Sequence, residues 1–130
     1  MKSNPVVHFG MPAEDRKRMS DFYTSVFGWQ AKQLGPEMGN YVLVNTAETD
    51  ENNMVKTPGN INGGFFQKTE ENSVPMVTIM VEDIKEAIEN VKAAGGTIVG
   101  KIEDMPNLAF FVNFRDTEGN LVSLMQPHHR

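Results

Sequence analysis

Apolar residues recur with helical spacing in two places along the chain. Residues at positions i, i+3, i+4 and i+7 lie on one face of an α-helix. The two sets are Met19, Phe22, Tyr23 and Val26 in the first half, and Ile84, Ala87, Ile88 and Val91 in the second. The pattern therefore predicts two amphipathic helices, each with a buried apolar stripe.

Both predicted helices have end signals. Asp83 followed by Glu86 is typical of an N-cap with its capping-box acid. Gly28 and the pair Gly95-Gly96 supply the left-handed residue that ends many helices.

One strand is predicted before each helix and three after it, from runs rich in β-branched and aromatic residues between turn signals. In the first half the strands are residues 5–11, 29–34, 41–44 and 61–67, and in the second 76–81, 97–102, 108–114 and 121–126. The polar stretch 46–60 predicts a mobile loop. Asp116 and Glu118 belong to a predicted turn with Gly119 or Asn120 at positive φ, and this explains them better than a catalytic carboxylate pair.

The two halves are a repeat. Shifting the sequence by about 68 positions lays residues 8–15 on 76–83 and pairs two Glu-Asp dipeptides. We therefore predict an α+β fold in one domain, residues 1–130, made of two βαβββ modules at about 4–68 and 74–127. Paired edge to edge, they would form an eight-stranded curved mixed sheet with helices outside and a concave cup for a ligand.

Composition narrows the classes of function. The chain has 130 residues, no cysteine and a formal net charge of -5. Disulfides and thiolate chemistry are excluded, and the absence of a basic stripe argues against nucleic acid as a partner. No apolar run approaches the roughly 20 residues that span a bilayer, and the N-terminus has no apolar signal core. We expect a cytoplasmic protein with no membrane partner.

Several short motifs stand in a fixed order. Val7-His8-Phe9 opens the chain, Phe22-Tyr23 precedes Phe27-Gly28-Trp29, and Asp116 to Leu124 closes it as Asp-Thr-Glu-Gly-Asn-Leu-Val-Ser-Leu. This ordered set resembles the glyoxalase/bleomycin-resistance/dioxygenase family, also called the vicinal oxygen chelate family. The resemblance implies paired βαβββ modules, commonly in a homodimer, with a divalent metal in the cup of the metal-dependent members.

The ligand positions that this resemblance implies are mostly altered. His8 stands where a histidine ligand is usual, but the other three positions carry Met76, Gly63 and Ser123. A thioether is a poor ligand for magnesium, manganese or zinc, and catalytic zinc generally keeps three protein ligands. We therefore expect no tightly bound catalytic metal and at most a weakly bound divalent ion.

The leading hypothesis is a metal-independent protein that binds a small, fairly apolar organic molecule in the cup. Its candidate ligand-binding residues are His8, Ser123, Gln67, Met76, Phe65, Phe111 and Trp29. One alternative is a divalent-metal lyase, isomerase or dioxygenase, with His8 joined by Gln67 or by Glu48, Asp50 or Glu51. Another is a non-catalytic dimeric interaction scaffold whose cup is filled by Met76 and Met125.

Overall fold

The computed structural model describes residues 3–52 and 54–128. Its elements in chain order are β1 (Val6–Ala13), α1 (Arg16–Phe27), β2 (Gln30–Gln33), β3 (Val42–Asn45), β4 (Asn62–Gln67), β5 (Met76–Met80), α2 (Ile84–Ala93), β6 (Thr97–Met105), β7 (Ala109–Arg115) and β8 (Leu121–Pro127), with a 3₁₀ turn at Pro36–Met38. They divide into an N-terminal unit, His8–Pro75, and a C-terminal unit, residues 76–128 with 3–7.

In the N-terminal unit the strands follow the order β2-β3-β4-β1. β1 runs parallel to β4, whereas β2, β3 and β4 pair antiparallel. Phe65 is fully buried with Val42 and Val44, and Met19 and Tyr23 of α1 pack against this cluster. Helix α1 therefore covers one face of this sheet. We call the opposite face of the same sheet the open face.

The predicted apolar stripe of α1 is only half right. Met19 and Tyr23 pack on the sheet, but Phe22 is 55% exposed and Val26 is 56% exposed. The prediction that these two side chains are buried was wrong. Tyr23 and Trp29 stack with ring centroids 4.6 Å apart, and this aromatic pair lies in the layer beneath α1. The core beneath α1 contacts the row of Met19 and Tyr23, and the row of Phe22 and Val26 is left outside.

In the C-terminal unit the order is β5-β8-β7-β6, with β5 parallel to β8 and the other pairs antiparallel. The core contains Val81, Ile84, Val112, Phe114 and Leu124, and α2 packs on it as predicted, through Ala87, Ile88 and Val91.

Both helix starts are capped by aspartate side chains. Asp83 accepts from Glu86 N at 3.1 Å, as predicted, and Asp15 accepts from Arg18 N at 2.9 Å. In α2 the amide of Ile84 also donates to Oε1 of Gln126, at 2.8 Å, so β8 satisfies a second free amide of the first turn. Gly28 ends α1 at φ 72°.

The predicted fold class is confirmed, with two β-α-β-β-β units, eight strands of mixed direction and two helices. Gly119 has φ 85°, as the turn prediction requires. Within the stretch 46–60, Thr49 bridges Val55, and the carboxylate of Asp50 accepts from Met54 N at 3.1 Å. No helix in the described part of the chain is long and apolar enough to span a membrane.

Candidate functional site

His8 contacts Tyr41 on the open face of the N-terminal unit. Nε2 of His8 lies 3.1 Å from the hydroxyl oxygen of Tyr41, and both side chains are partly buried. Alternation along β1 places Phe9 and Met11 toward α1 and His8 on the opposite side. Because Tyr41 lies just before β3 while His8 is near the start of β1, the sheet brings together side chains 33 positions apart.

A glycine makes room for this contact. A Cβ atom at Gly64 would overlap the hydroxyl end of the Tyr41 ring, so the ring lies directly over the bare backbone of β4. Gly63 does the same on the other face, where a Cβ would overlap the ring of Phe9. The two adjacent glycines therefore admit one aromatic ring on each side of the sheet.

Burial favours the uncharged form of both members of the pair. Loss of water around the imidazole lowers the pKa of His8 from 6.5 to about 4. The same cause raises the pKa of the Tyr41 hydroxyl above its ordinary value of 10.0. At pH 7 the pair is thus a neutral imidazole beside a protonated phenol.

Asn62 adds a third neutral polar group. It is the register partner of His8, so the two side chains lie on the same face of neighbouring strands. The Oδ1 atom of Asn62 accepts from Thr46 N at 2.9 Å, which fixes the orientation of the amide. No Asp, Glu, Lys or Arg occurs in β1, β3 or β4.

Three predicted ligand-binding residues of this unit lie away from His8. Phe65 has no exposed surface and belongs to the core against α1. Trp29 stacks on Tyr23 and contacts Phe9, with ring centroids 5.7 Å apart, on the same side of the sheet. Gln67 is exposed at the end of β4, where its side-chain amide approaches the carbonyl of Lys68 at 3.5 Å.

The predicted residues of the C-terminal unit lie on one sheet face. Ser123 is the register partner of Thr78 on one side and of Asn113 on the other, giving a row of three polar side chains. Ser123 and Thr78 are buried, at 5% and 3% exposure. Met76 precedes Thr78 by two positions and Phe111 precedes Asn113 by two, so alternation puts both on this face. The structure thus brings Ser123, Met76 and Phe111 to the face opposite α2.

The donor set does not suit the metal that the family resemblance implies. At His8, the Nε2 atom already contacts the Tyr41 hydroxyl, whose raised pKa opposes formation of a phenolate ligand. Of the other implied positions, Met76 offers a thioether, which is a poor ligand for a hard or borderline cation, Gly63 offers no side-chain donor, and Ser123 offers only a neutral hydroxyl. Among the described residues, no three His, Cys, Asp or Glu side chains cluster for a metal.

The loop carboxylates proposed as additional ligands have local partners instead. Glu48 forms an ion pair with Lys56 at 3.0 Å, and Asp50 caps the turn that follows it. Glu51 is exposed beside that turn.

Tyr41 and Asn62 were not among the residues predicted for the site. Asn62-Gly63-Gly64 is visible in the sequence, but the register that lays a ring over Gly64 comes from the β3–β4 pairing, in which Leu43 is opposite Gly64. Tyr41 is two positions before Leu43 and therefore diagonal to the glycine. The signal available in the sequence was the pair of adjacent glycines in a predicted strand, which leaves room for a ring to approach the backbone.

Comparison with curated proteins gives no match. Among solved structures, the hypothetical protein BH1468 from Bacillus halodurans C-125 superimposes with a TM-score of 0.69, at 16% identity over 99% of this chain and 98% of that chain. Methylmalonyl-CoA epimerase from Mycobacterium tuberculosis gives 0.65, at 15% identity over 94% and 87%. A methylmalonyl-CoA epimerase in complex with methylmalonyl-CoA and NH4+ gives 0.69, at 13% identity over 97% and 96%.

At these identities the structural likeness establishes the fold alone. The sequence itself matches a family model, described as the Glyoxalase/Bleomycin resistance protein/Dioxygenase superfamily, over residues 6–124. That match covers most of the chain and agrees with the family resemblance of its ordered motifs. The chain therefore belongs to the glyoxalase/bleomycin resistance protein/dioxygenase superfamily.

Proposed function

We propose that this protein binds a small, fairly apolar organic molecule on the open face of the N-terminal unit, without a catalytic metal. The observation that carries the proposal is the contact between His8 Nε2 and the Tyr41 hydroxyl. Both polar groups are partly buried and held together above Gly64. Ligand sites are mostly apolar and contain a few polar groups of this kind, which orient the ligand through hydrogen bonds.

Neighbouring side chains supply the apolar part of the proposed site. Leu43 and Phe66 alternate onto the open face and are partly exposed. Ser123, Met76 and Phe111 stay predicted ligand-binding residues of the C-terminal unit, on its sheet face opposite α2. The proposal concerns binding and assigns no reaction. The methylmalonyl-CoA in one similar structure is not carried over, because the likeness there is one of fold.

The proposal is tested first by metal content. The protein should be purified without chelator or nickel resin and analysed for metals. Manganese, nickel and zinc should then be titrated calorimetrically into wild type and His8→Ala. We expect substoichiometric metal and no His8-dependent binding. Near-stoichiometric metal whose affinity collapses in His8→Ala would instead establish the metal-dependent lyase, isomerase or dioxygenase class.

Ligand binding is tested on the same samples. A fragment library observed by NMR should give hits that perturb the His8 imidazole signals and weaken in Tyr41→Phe. His128→Asn, which alters a histidine of the C-terminal unit, is the matched control and should leave those hits unchanged. A library with no hit sensitive to Tyr41 contradicts the proposed site.

We also propose a homodimer formed through an exposed apolar flank of α1. Phe22 and Val26, one turn apart, are exposed at 55% and 56%, and Phe27 at the end of the helix is exposed at 60%. Lys17 and Asp21, paired at 3.0 Å, border this flank with both signs of charge. Such a border is self-complementary across a two-fold axis, as an isologous dimer requires.

Light scattering after gel filtration tests the dimer. Phe22→Asp should convert a dimer to a monomer, whereas Val77→Asp, at another exposed apolar residue in the C-terminal unit, should not. A wild-type protein that stays monomeric at about 100 μM, well above the Kd of an ordinary stable interface, contradicts this proposal.

A further inference from the structure

The strands that carry the proposed site are free of charged side chains. β1, β3 and β4 contain no Asp, Glu, Lys or Arg on either face. In the edge strand β2, Lys32 pairs with Leu43, so its side chain lies on the same face, exposed at the edge of the sheet. A ligand lying beside the His8–Tyr41 pair, over β1, β3 and β4, would therefore meet neutral polar groups and apolar surface.

This environment penalises an ionised ligand. An isolated carboxylate that loses its water needs a nearby cation or several hydrogen-bond donors, and otherwise binding is strongly opposed. His8 cannot serve as the cation at neutral pH, because burial holds the pKa of its imidazole near 4. A hydroxyl or amide costs much less free energy to desolvate, and one or two hydrogen bonds offset that cost.

The His8–Tyr41 pair can both donate a hydrogen bond to a neutral group and accept one from it. If the Tyr41 hydroxyl donates to Nε2, then Nδ1 of His8 carries the remaining proton and the phenol oxygen keeps a free lone pair. If Nε2–H donates to the phenol oxygen, the hydroxyl proton is released to donate elsewhere, and Nδ1 becomes an acceptor. The pair thus offers one donor and one acceptor in both arrangements, with no change of net charge.

We infer that the site selects uncharged ligands whose polar group both donates and accepts a hydrogen bond, such as an alcohol, a phenol or a carboxamide, and rejects carboxylates. This inference rests on the proposed function and narrows its ligand class. It is supported by the His8–Tyr41 contact, by the packing of the Tyr41 ring on Gly64, and by the absence of Asp, Glu, Lys and Arg from β1, β3 and β4.

A matched series of phenyl compounds tests the selectivity. Toluene has no polar group, benzyl alcohol adds a neutral donor and acceptor, and benzoate adds a charge at similar size. Dissociation constants should be measured at pH 7 by protein-observed NMR with wild type, Tyr41→Phe and His128→Asn. Long-range ¹H–¹⁵N spectra of the His8 ring report its tautomer in the same samples.

We expect benzyl alcohol to bind about tenfold more tightly than benzoate and about fivefold more tightly than toluene, as one neutral hydrogen bond predicts. In Tyr41→Phe, benzyl alcohol should bind no more tightly than toluene. The dissociation constant of toluene should stay within about twofold of its wild-type value, since the aromatic ring is kept. Benzyl alcohol should also shift the His8 tautomer signals. A residue that only supports the fold would not produce this tautomer response. His128→Asn should behave as wild type.

Two contrary results separate the selectivity from the function. Benzoate that binds as well as benzyl alcohol, with perturbation of His8, overturns the neutral-ligand inference while the binding site stands. If no phenyl compound perturbs His8 at its solubility limit, and the fragment library also gives no hit sensitive to Tyr41, both the inference and the proposed function are wrong.

Discussion

Lowering the pH from 7 to 5 should reduce the free energy of unfolding, because His8 is buried and neutral in the folded protein. The pKa of His8 is about 4 in the folded protein and 6.5 in the unfolded chain. Between these values the unfolded chain binds a proton that the folded protein excludes, so the free energy of unfolding falls as the pH falls from about 6.5 to about 4.

The size of the effect follows from the two pKa values. At pH 5 the unfolded imidazole is about 1.5 pH units below its own pKa, whereas the folded imidazole is still mostly neutral. At 1.36 kcal/mol per unit, His8 alone should cost about 2 kcal/mol between pH 7 and pH 5. Nearly all of this loss should vanish in a variant that cannot titrate at position 8.

Urea denaturation of wild type and His8→Asn at both pH values measures this loss. The difference between the two proteins cancels the contributions of the titratable groups that they share. We expect wild type to lose about 2 kcal/mol more than the variant. A direct check is the His8 ring carbon shift, which should stay at its neutral value from pH 7 to 5. Equal losses in the two proteins, together with a ring that titrates near pH 6.5, would falsify the argument that burial keeps His8 neutral.

Three further changes test the local structure. Gly64→Ala should lower the free energy of unfolding by about 1–3 kcal/mol, because the added Cβ overlaps the Tyr41 ring. In a Tyr41→Ala background the same substitution should cost much less. Equal costs in the two backgrounds of this double-mutant cycle would contradict the close contact. Gln126→Ala should cost about 1–3 kcal/mol by leaving the Ile84 amide unpaired, whereas Gln126→Glu, which keeps an acceptor oxygen, should retain most of that stability in thermal or urea unfolding. The pKa of Asp116 is lowered, chiefly by hydrogen bonds from Asn120, so wild type should lose turn stability as the pH falls through this depressed value. Asp116→Asn should lack that acid loss, and identical acid unfolding curves would contradict it.

The elements of this fold were predictable because their signals are local. Strand and helix positions follow from periodicity, and the caps at Asp83 and Gly28 depend on backbone geometry within a few residues. The outer half of the α1 stripe was mispredicted for the opposite reason. Whether Phe22 and Val26 are buried depends on which side of the helix the sheet contacts, and helical spacing carries no information about that tertiary arrangement.

The amino-acid sequence by itself determined the repeat, the order of the eight strands and two helices along the chain, the family, and the replacement of expected metal ligands by Met76, Gly63 and Ser123. The tertiary structure alone decided that Tyr41 contacts His8. That contact depends on the β3–β4 register and on the space over Gly64, since shifting a strand by one residue would move every side chain to the other face. The lowered pKa of His8 also depends on the folded structure, because its cause is the burial of the imidazole.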